Sequence, residues 1–489
     1  MPLNVNPFDY VVAAPRPSTS TLDGDVVVRI RALAMLAYVA LAVLALGCGA
    51  DGLNEQDSLS YFPPDVQGAV GPNHVLEAVN NQVRIWSRSN FSVVTSYSLT
   101  SLWGGACNET SDPRVRYDSL SGRWFISAVK ADFYQPGAWC LAVSGANTDP
   151  FLWHTYVFTS PDSVFNVSGN VVTAHTFPDQ PGLGISEDKV VLSGDLAGAP
   201  PGASNLEYAT VERSAILVLS KAELLAGATP YMQLFAPVYD TTHRFFIRPS
   251  FNLSPSGGTI YMAGVNALAN PGTNLRLYTI TGIPGNGTTS SLTLYVFSPT
   301  YSFVQPPPAP QKGEAQLDTN DDRVLDVVYR DGAMWIASNH GCIPTGDSVL
   351  RACARFMHIT TNPLLLDQDA KVKAVNLNYF YPGISIDAAE NLITVVDRST
   401  ATEFPSVWVS GRRPTDPVNT MRAPVQIRAG QTPCCQIRPG ETFCAWGDYS
   451  AAAHDPVQEL DTWVGAEYPV GLTEWGTWGE WLQHTQYPQ

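Results

Sequence analysis

Residues 114–158 read RVRYDSLSGRWFISAVKADFYQPGAWCLAVSGANTDPFLWHTYVF, and this stretch decides the fold. Arg114-VRYD, Arg123-WFISAVK, Gly137-AWCLAVSG and Leu152-WHTYVF each carry β-forming residues in period-two alternation, the pattern of a strand with a buried face. Asp, Ser, Gly, Pro and Asn fill the gaps, the residues that favour turns. Four short strands over roughly 45 residues make an antiparallel meander the size of one propeller blade.

Outward from this block the same hairpin recurs. The copies read Val70-GPN-HVLEAV, Tyr117-DSLSG-RWFISAV, Ile185-SED-KVVLSGD and Leu253-SPSGG-TIYMAGV. Three more follow, as Val328-YRDG-AMWIASN, Ile386-DAAEN-LITVVD and His454-DPVQELD-TWVGAEY. Recurrence at intervals of roughly 50–75 residues is the signature of a radially repeated sheet. The expectation is an all-β, seven-bladed β-propeller of four-stranded antiparallel blades, with six blades as the alternative. The last block shows three strands, so a donor from residues 55–62 is expected to complete it. Helix signals are sparse: SKAELLAG at 220–227 fits one short helix, with Ser220 as cap, Glu223 at the capping-box position and Gly227 as stop.

Only 15% of the 489 residues are charged, Gly and Pro number 38 each, and Trp, Tyr and Phe total 51. That balance suits an extracellular all-β protein better than a helical enzyme. The net charge of −16 disfavours nucleic acid and anionic membranes as partners. Arg29 and Arg31 precede an uncharged stretch from Ala32 to Ala50 that ends Leu44-ALGCG, the layout of an export signal. Residues 1–50 are therefore read as a leader with a lipoprotein-type signal and anchor, lipidated at Cys48, followed by a tether at 51–62 and the propeller at 63–489. An uncleaved membrane anchor and ordinary secretion are the alternatives. All three place the domain outside the cytoplasm, at the cell surface or outer membrane or secreted.

The cysteines agree with an oxidising compartment. Cys107 with Cys140, Cys342 with Cys353, and Cys434 or Cys435 with Cys444 are the candidate pairs. Zinc is disfavoured, because no CxxC knuckle is present.

The starts of the inner strands carry a repeated polar signature, seen in Pro64-Asp65, Asp112-Pro113, Pro178-Asp179, Arg248-Pro249, Asp321-Asp322 and Gly447-Asp448. If the repeats align, Asp65, Asp112, Asp179, Arg248, Asp322 and Asp448 converge at one channel mouth. Converging carboxylates with an arginine suit a cation, a sugar or an acid/base pair; the plainer reading is that each aspartate fixes its own turn. Asp318, Asn320 and Asp322 have the spacing of the front of a calcium loop, but Arg323 stands where the turn glycine belongs and no acidic ligand follows at the twelfth position. No other cofactor is expected. The eight histidines show no ligand spacing, and no GxSxG or phosphate loop occurs. Trp446, Trp463, Trp475, Trp478 and Trp481 crowd the last block, where they serve as core between blades or as sugar platforms.

PPDVQGAVGPNHVLEAVN at 63–80, LDTNDDRVLDVVYRDGAMWIASN at 317–339, WGDYSAAAHDP at 446–456 and WGTW at 475–478 together resemble a family of secreted bacterial β-propeller proteins. The resemblance spans about 63–482 and implies an exported propeller; it supplies no catalytic residues. A more distant likeness runs to sialidase-type propellers. It implies an arginine triad, for which Arg114, Arg248 and Arg323 occupy suitable repeat positions, while the Asp-box turn survives only as Ser254-PSGGTI-Tyr261. The functional expectation is a surface-anchored binding module for an extracellular glycan or protein. The alternatives are a glycan-processing hydrolase using the mouth carboxylates and a structural protein of the cell envelope.

Overall fold

The computed structural model describes residues 49–486, apart from 58–62, 109, 132–134, 146–150, 168–169, 199–208, 239–245, 266–270, 300–301, 314, 435–436, 438–441 and 471–476. Residues 1–48 of the expected leader, Cys48 among them, and Cys435 lie outside the described residues, whereas Gly49 and Ala50 begin β1. Nearly every element is a strand. In chain order these are β1 (Gly49–Asn54), β2 (Gln67–Val70), β3 (His74–Val79), β4 (Gln82–Ser87), β5 (Val93–Ser98), β6 (Thr110–Asp118), β7 (Arg123–Lys130), β8 (Ala138–Ser144) and β9 (Trp153–Thr159). Then come β10 (Ser163–Val167), β11 (Asn170–Ala174), β12 (Phe177–Ile185), β13 (Lys189–Gly198), β14 (Ala209–Ser220), β15 (Met232–Val238), β16 (Arg248–Pro249), β17 (Phe251–Asn252), β18 (Ile260–Val265), β19 (Leu275–Thr281) and β20 (Ser291–Phe297). The remainder are β21 (Val324–Arg330), β22 (Ala333–Cys342), β23 (Arg351–Thr361), β24 (Leu364–Val372), β25 (Asn378–Ile386), β26 (Leu392–Thr400), β27 (Glu403–Arg412), β28 (Val425–Arg428), β29 (Ala451–His454), β30 (Asp461–Val470) and β31 (Thr477–Gln486). Two short helices interrupt them, α1 (Leu99–Leu102) and α2 (Lys221–Ala226).

The arrangement is propeller-like. Five four-stranded sheets follow the orders β2-β3-β4-β5, β6-β7-β8-β9, β16-β18-β19-β20, β25-β26-β27-β28 and β1-β31-β30-β29. A nine-stranded sheet joins the meanders β12–β15 and β21–β24 through the short β17, which runs parallel to both neighbours. A parallel bridge also links Asp65 to Tyr449, at the starts of the first and last meanders. Parallel contacts between first strands, with antiparallel pairing inside each meander, are what radial stacking produces.

Consecutive meanders are held by apolar faces. Leu76, Ala78, Val83 and Ile85 of β3 and β4 pack with Val115, Trp124 and Ile126 of β6 and β7. Gly71 is required at this seam, since a Cβ there would stand 2.5 Å from the Trp124 indole. Residues from β2, β6, β17, β21, β25 and β29 line one narrow central cavity of about 10 Å³, with Ala69, Arg116, Phe251, Val328, Ser385 and His454 among them. Arg116 meets Asp326 there at 3.0 Å, tying β6 to β21.

The hairpin turns after the first strands are built on buried carboxylates. Asp387 accepts from the Ala389 and Asn391 N–H groups at 2.8 and 2.9 Å and from the Asn391 amide at 2.7 Å. Asp455 accepts from Val457 and Gln458 N–H, from Trp463 Nε1 and from Arg88. Asp118 accepts from Leu120 N–H and Ser121 Oγ and pairs with the buried Lys221 at 2.5 Å. These aspartates cap turns, as the repeat's composition implies.

Disulfides join Cys107 to Cys140 and Cys342 to Cys353, which fits an oxidising compartment. Cys434 and Cys444 are both buried, with the Gln311 amide donating to the Cys434 carbonyl and the Cys444 sulfur. Two expectations change. The strand that completes the last sheet is β1, Gly49–Asn54, rather than residues 55–62, so the first four residues of the expected tether belong to a strand. Ser220 does precede α2 and Gly227 ends it in the left-handed region, but the Ser220 side chain makes no capping bond. Among the described residues no helix is long and apolar enough to cross a membrane.

Candidate functional site at the channel mouth

Three first strands open with the same irregularity. Register slips between Ser111 and Arg114, between Asp179 and Gly182, and between Phe380 and Gly383. In each slip a residue at positive φ precedes a proline: Asp112 at 50°, Gln180 at 51° and Tyr381 at 48°. Proline has no N–H for the ladder, and a bulge re-aims the side chain beside it. The left-handed backbone at these non-glycine positions is strained, so the surrounding packing must hold it. Gly182 contributes: a Cβ there would strike Pro249 at 2.4 Å, so the next meander seats directly against the bulge.

The bulges at Asp112 and Gln180 bring their polar groups to one place, while Tyr381 is buried against Phe380 and Trp446. The Tyr449 hydroxyl lies 3.1 Å from Asp112 Oδ2 and donates to Gln180 Oε1 at 2.7 Å or to Asp112. Asp448 accepts from the Asn320 amide at 3.1 Å and the Gln180 amide at 3.4 Å. Arg114 donates through Nε to the Pro181 carbonyl at 2.8 Å and stacks 3.5 Å over the Tyr449 ring. Arg248 donates to the same carbonyl, to the Gln180 carbonyl and to Val324 O, and its Nη2 reaches Gln180 Oε1 at 3.2 Å. Arg323 forks onto Asp321 with two bonds of 2.7 Å. The carbonyls released by the bulge at 180–181 thus serve as anchors for two buried guanidiniums.

Electrostatics follow from the crowding. Burial, then the charges of Asp112 and Asp448, hold the Asp65 carboxyl well above its usual range. Burial and the Asp448 charge raise Asp112. Burial and Asp112 push Asp179 up to about 7, and burial pushes the adjoining Asp195 to about 7 although Ser214 donates to it. Burial and the Arg114 charge bring Arg248 down to about 10. Burial and Asp112 keep the Tyr449 phenol protonated. Asp112, Asp179, Asp448, Gln180 and Asn320 remain half-buried, while Asp65, Arg114, Arg248 and Tyr449 are buried behind them. The geometry is a half-buried array of acceptors and donors, with carboxyls whose proton affinity is raised lying side by side.

Of the six residues expected at the mouth, Asp65, Asp112, Asp179, Arg248 and Asp448 lie together. Asp322 does not join them. It is fully buried, and its charged neighbours are Asp321, Arg355 and Arg323 rather than the mouth carboxylates. Asn320 and Arg323 take the place in the cluster expected for it. The three residues of the proposed calcium loop are also engaged separately: Asp318 accepts the Asn320 N–H and Asn320 turns its amide to Asp448. Among the described residues no group of three or more His, Cys, Asp or Glu side chains is arranged to hold a metal ion.

Tyr449, Gln180 and Asp195 were not singled out from sequence, and Asn320 only as part of a calcium loop. The signal for Gln180 was present: Asp112-Pro113 aligns with Gln180-Pro181 and Tyr381-Pro382, two residues beyond the Pro178 that the motif suggested. Trp446 and Trp463 are core, donating through their indole nitrogens to buried Asp397 and Asp455. Trp475 lies outside the described residues.

No family model matches the chain, and no curated protein matches it. Among solved structures the chain is similar to an ulvan lyase, a polysaccharide lyase, at 9% identity with a TM-score of 0.41, over 86% of this chain and 91% of that one. It is similar to the apocarotenoid oxygenase of Synechocystis at 10% identity and a TM-score of 0.40, over 79% of each chain. It is similar to Semaphorin 1b of Drosophila at 7% identity and a TM-score of 0.35, over 89% of this chain and 86% of that one.

Proposed function

We propose that the chain is a seven-bladed propeller acting outside the cytoplasm as a glycan-binding module, with the mouth cluster as its site. The blade number is supported by division of the nine-stranded sheet at β17, which yields two four-stranded meanders beside the five separate sheets. One observation carries the functional reading. Carboxyls from four separate segments, Asp65, Asp112, Asp179 and Asp448, are held close together: beyond burial, the charges of Asp112 and Asp448 raise the proton affinity of Asp65 and Asp179, and that of Asp448 raises Asp112. Folding alone gains nothing from that repulsion. A hydroxyl-rich ligand gains both acceptors and donors there, the latter from Gln180, Asn320, Tyr449 and the guanidiniums.

A second reading is a glycan-processing hydrolase. Its support is the Tyr449 hydroxyl on Asp112, the adjacent Arg114 and Arg248, and Asp179 with a proton affinity suited to a general acid near neutrality. One experiment separates the two. Wild type, Asp448→Asn and Asp112→Asn are screened on a glycan array and then assayed for reducing-end release from each bound glycan. Binding lost in both variants without turnover in wild type supports the module. Turnover in wild type that both variants abolish supports the hydrolase. Absence of any bound glycan overturns both.

A further inference from the structure

A second cleft, of about 410 Å³, opens where the end of β24 meets the hairpin joining β22 to β23. None of its lining residues belongs to the mouth. Its volume falls within the range of about 300–1,000 Å³ typical of small-molecule sites. Lys371 and Lys373 stand on one wall. Asp369 shares that wall; both of its oxygens accept from the fully buried Arg355, at 2.8 and 2.7 Å, and Lys371 Nζ stands 3.5 Å from its Oδ1. The side chains around the cleft therefore include three cations against one carboxylate. Their field is visible on the buried His340, whose ring is held neutral by burial and by Arg355, Lys371 and Lys373. Such a positive field is notable on a chain of net charge −16.

The rest of the cleft wall is partly aliphatic. Val304, Ile343 and Leu350 line it, and Ile343 is 57% exposed. The wall is also rigidly built. The Cys342–Cys353 disulfide closes the hairpin that carries Ile343 and Leu350. Gly341 donates to the Val304 carbonyl at 2.6 Å, and a Cβ on it would strike Gln305 O at 2.4 Å. Arg355 bonds the Ser302 carbonyl and stacks 4.4 Å from the Phe303 ring.

We propose that this cleft binds the charged ring of an acidic oligosaccharide, with a carboxylate or sulfate on Lys371 and Lys373 and the sugar's C–H face on Val304, Ile343 and Leu350. Point-charge ammonium groups accept either oxyanion, and an aliphatic wall suits the apolar face of a pyranose ring better than an extended acidic peptide. The inference stands independently of the mouth reading.

Calorimetric titration of the full chain tests it, with trigalacturonate as the carboxylate probe, a sulfated chondroitin disaccharide as the sulfate probe, and maltotriose and triglutamate as controls. An acidic sugar is expected to bind, more weakly as salt rises, and the stronger of the two identifies the anion. K371Q/K373Q is expected to bind roughly tenfold more weakly, the scale of one lost charge-assisted hydrogen bond. The exposed K373Q alone, whose folding is secure, is expected to bind about threefold more weakly. Asp448→Asn is expected to leave this affinity unchanged, so failure at the mouth and failure here are distinguishable. Equal binding of maltotriose, tighter binding of triglutamate, unaltered affinity in K373Q and in the double variant, or no binding of either acidic sugar at about 10-fold above the protein concentrations used would each overturn the proposal.

Discussion

The two ends of the first strands use the same residue in opposite ways. At the hairpin end, Asp387 and Asp455 are surrounded by N–H donors from their own turns. At the mouth end, Asp65, Asp112 and Asp448 face one another, and burial with mutual repulsion raises the proton affinity of the first two. A carboxylate that accepts several backbone bonds stabilises the fold; one that is crowded by its like does not. The same amino acid, repeated at both ends of strands such as β6 and β29, caps turns at one end and is crowded by its like at the other.

The comparison can be broken by measurement, and Asp455→Ala should have the largest effect. It removes two turn bonds, the Trp463 indole acceptor and the partner of Arg88, so a loss of about 3–5 kcal/mol is expected in urea unfolding. Asp387→Ala, which strips three donors of their acceptor, should cost about 1–3 kcal/mol by the same assay. Asp448→Asn should change stability by less than about 1 kcal/mol while abolishing glycan binding. Were it as costly as Asp455→Ala, the mouth would be scaffold too.

The comparison can also be sharpened through the pH dependence. Asp179 and Asp195 hold their protons up to about 7 in the folded chain, whereas an unfolded aspartate releases its proton near 3.9. Between those values the folded state binds more protons, so their contribution is fully present at low pH and is lost as pH rises toward 7. His340 and His454, held down to about 2 and about 4, act in the other direction, losing stability as pH falls through the ordinary histidine range. The clean readout is therefore a difference: Asp179→Asn should gain stability relative to wild type at pH 8 compared with pH 5. A difference independent of pH would remove Asp179 from the crowded group.

Much of this was legible in the chain. Period-two runs and turn residues located nearly all the strands of the first two meanders, because one buried face imposes that alternation locally. Two cysteine pairs were among the candidates, Cys342–Cys353 as the closure of a hairpin and Cys107–Cys140 as a link between neighbouring strands. The convergence of Asp65, Asp112, Asp179, Arg248 and Asp448 was legible because they precede or begin their strands. What sequence did not carry was orientation around an irregularity. In the stretch 320–323, Asn320 sits at a positive φ of 55°, and alternation cannot say which of four successive polar residues then faces the mouth. Asp322 turned inward, while Asn320 and Arg323 turned to the cluster. The sheet partner of β31 escaped for a different reason: its pairing spans more than four hundred residues, and Gly49–Asn54 has no periodic signal to announce it.

That pairing has a consequence for how the molecule is made. The antiparallel contact of Gly49–Asn54 with Thr477–Gln486 joins segments more than four hundred residues apart, so this sheet stays incomplete on the ribosome until Thr477–Gln486 has emerged. Deleting the last ten paired residues would leave Asp461–Val470 as a bare rim, open to capture by a neighbouring chain.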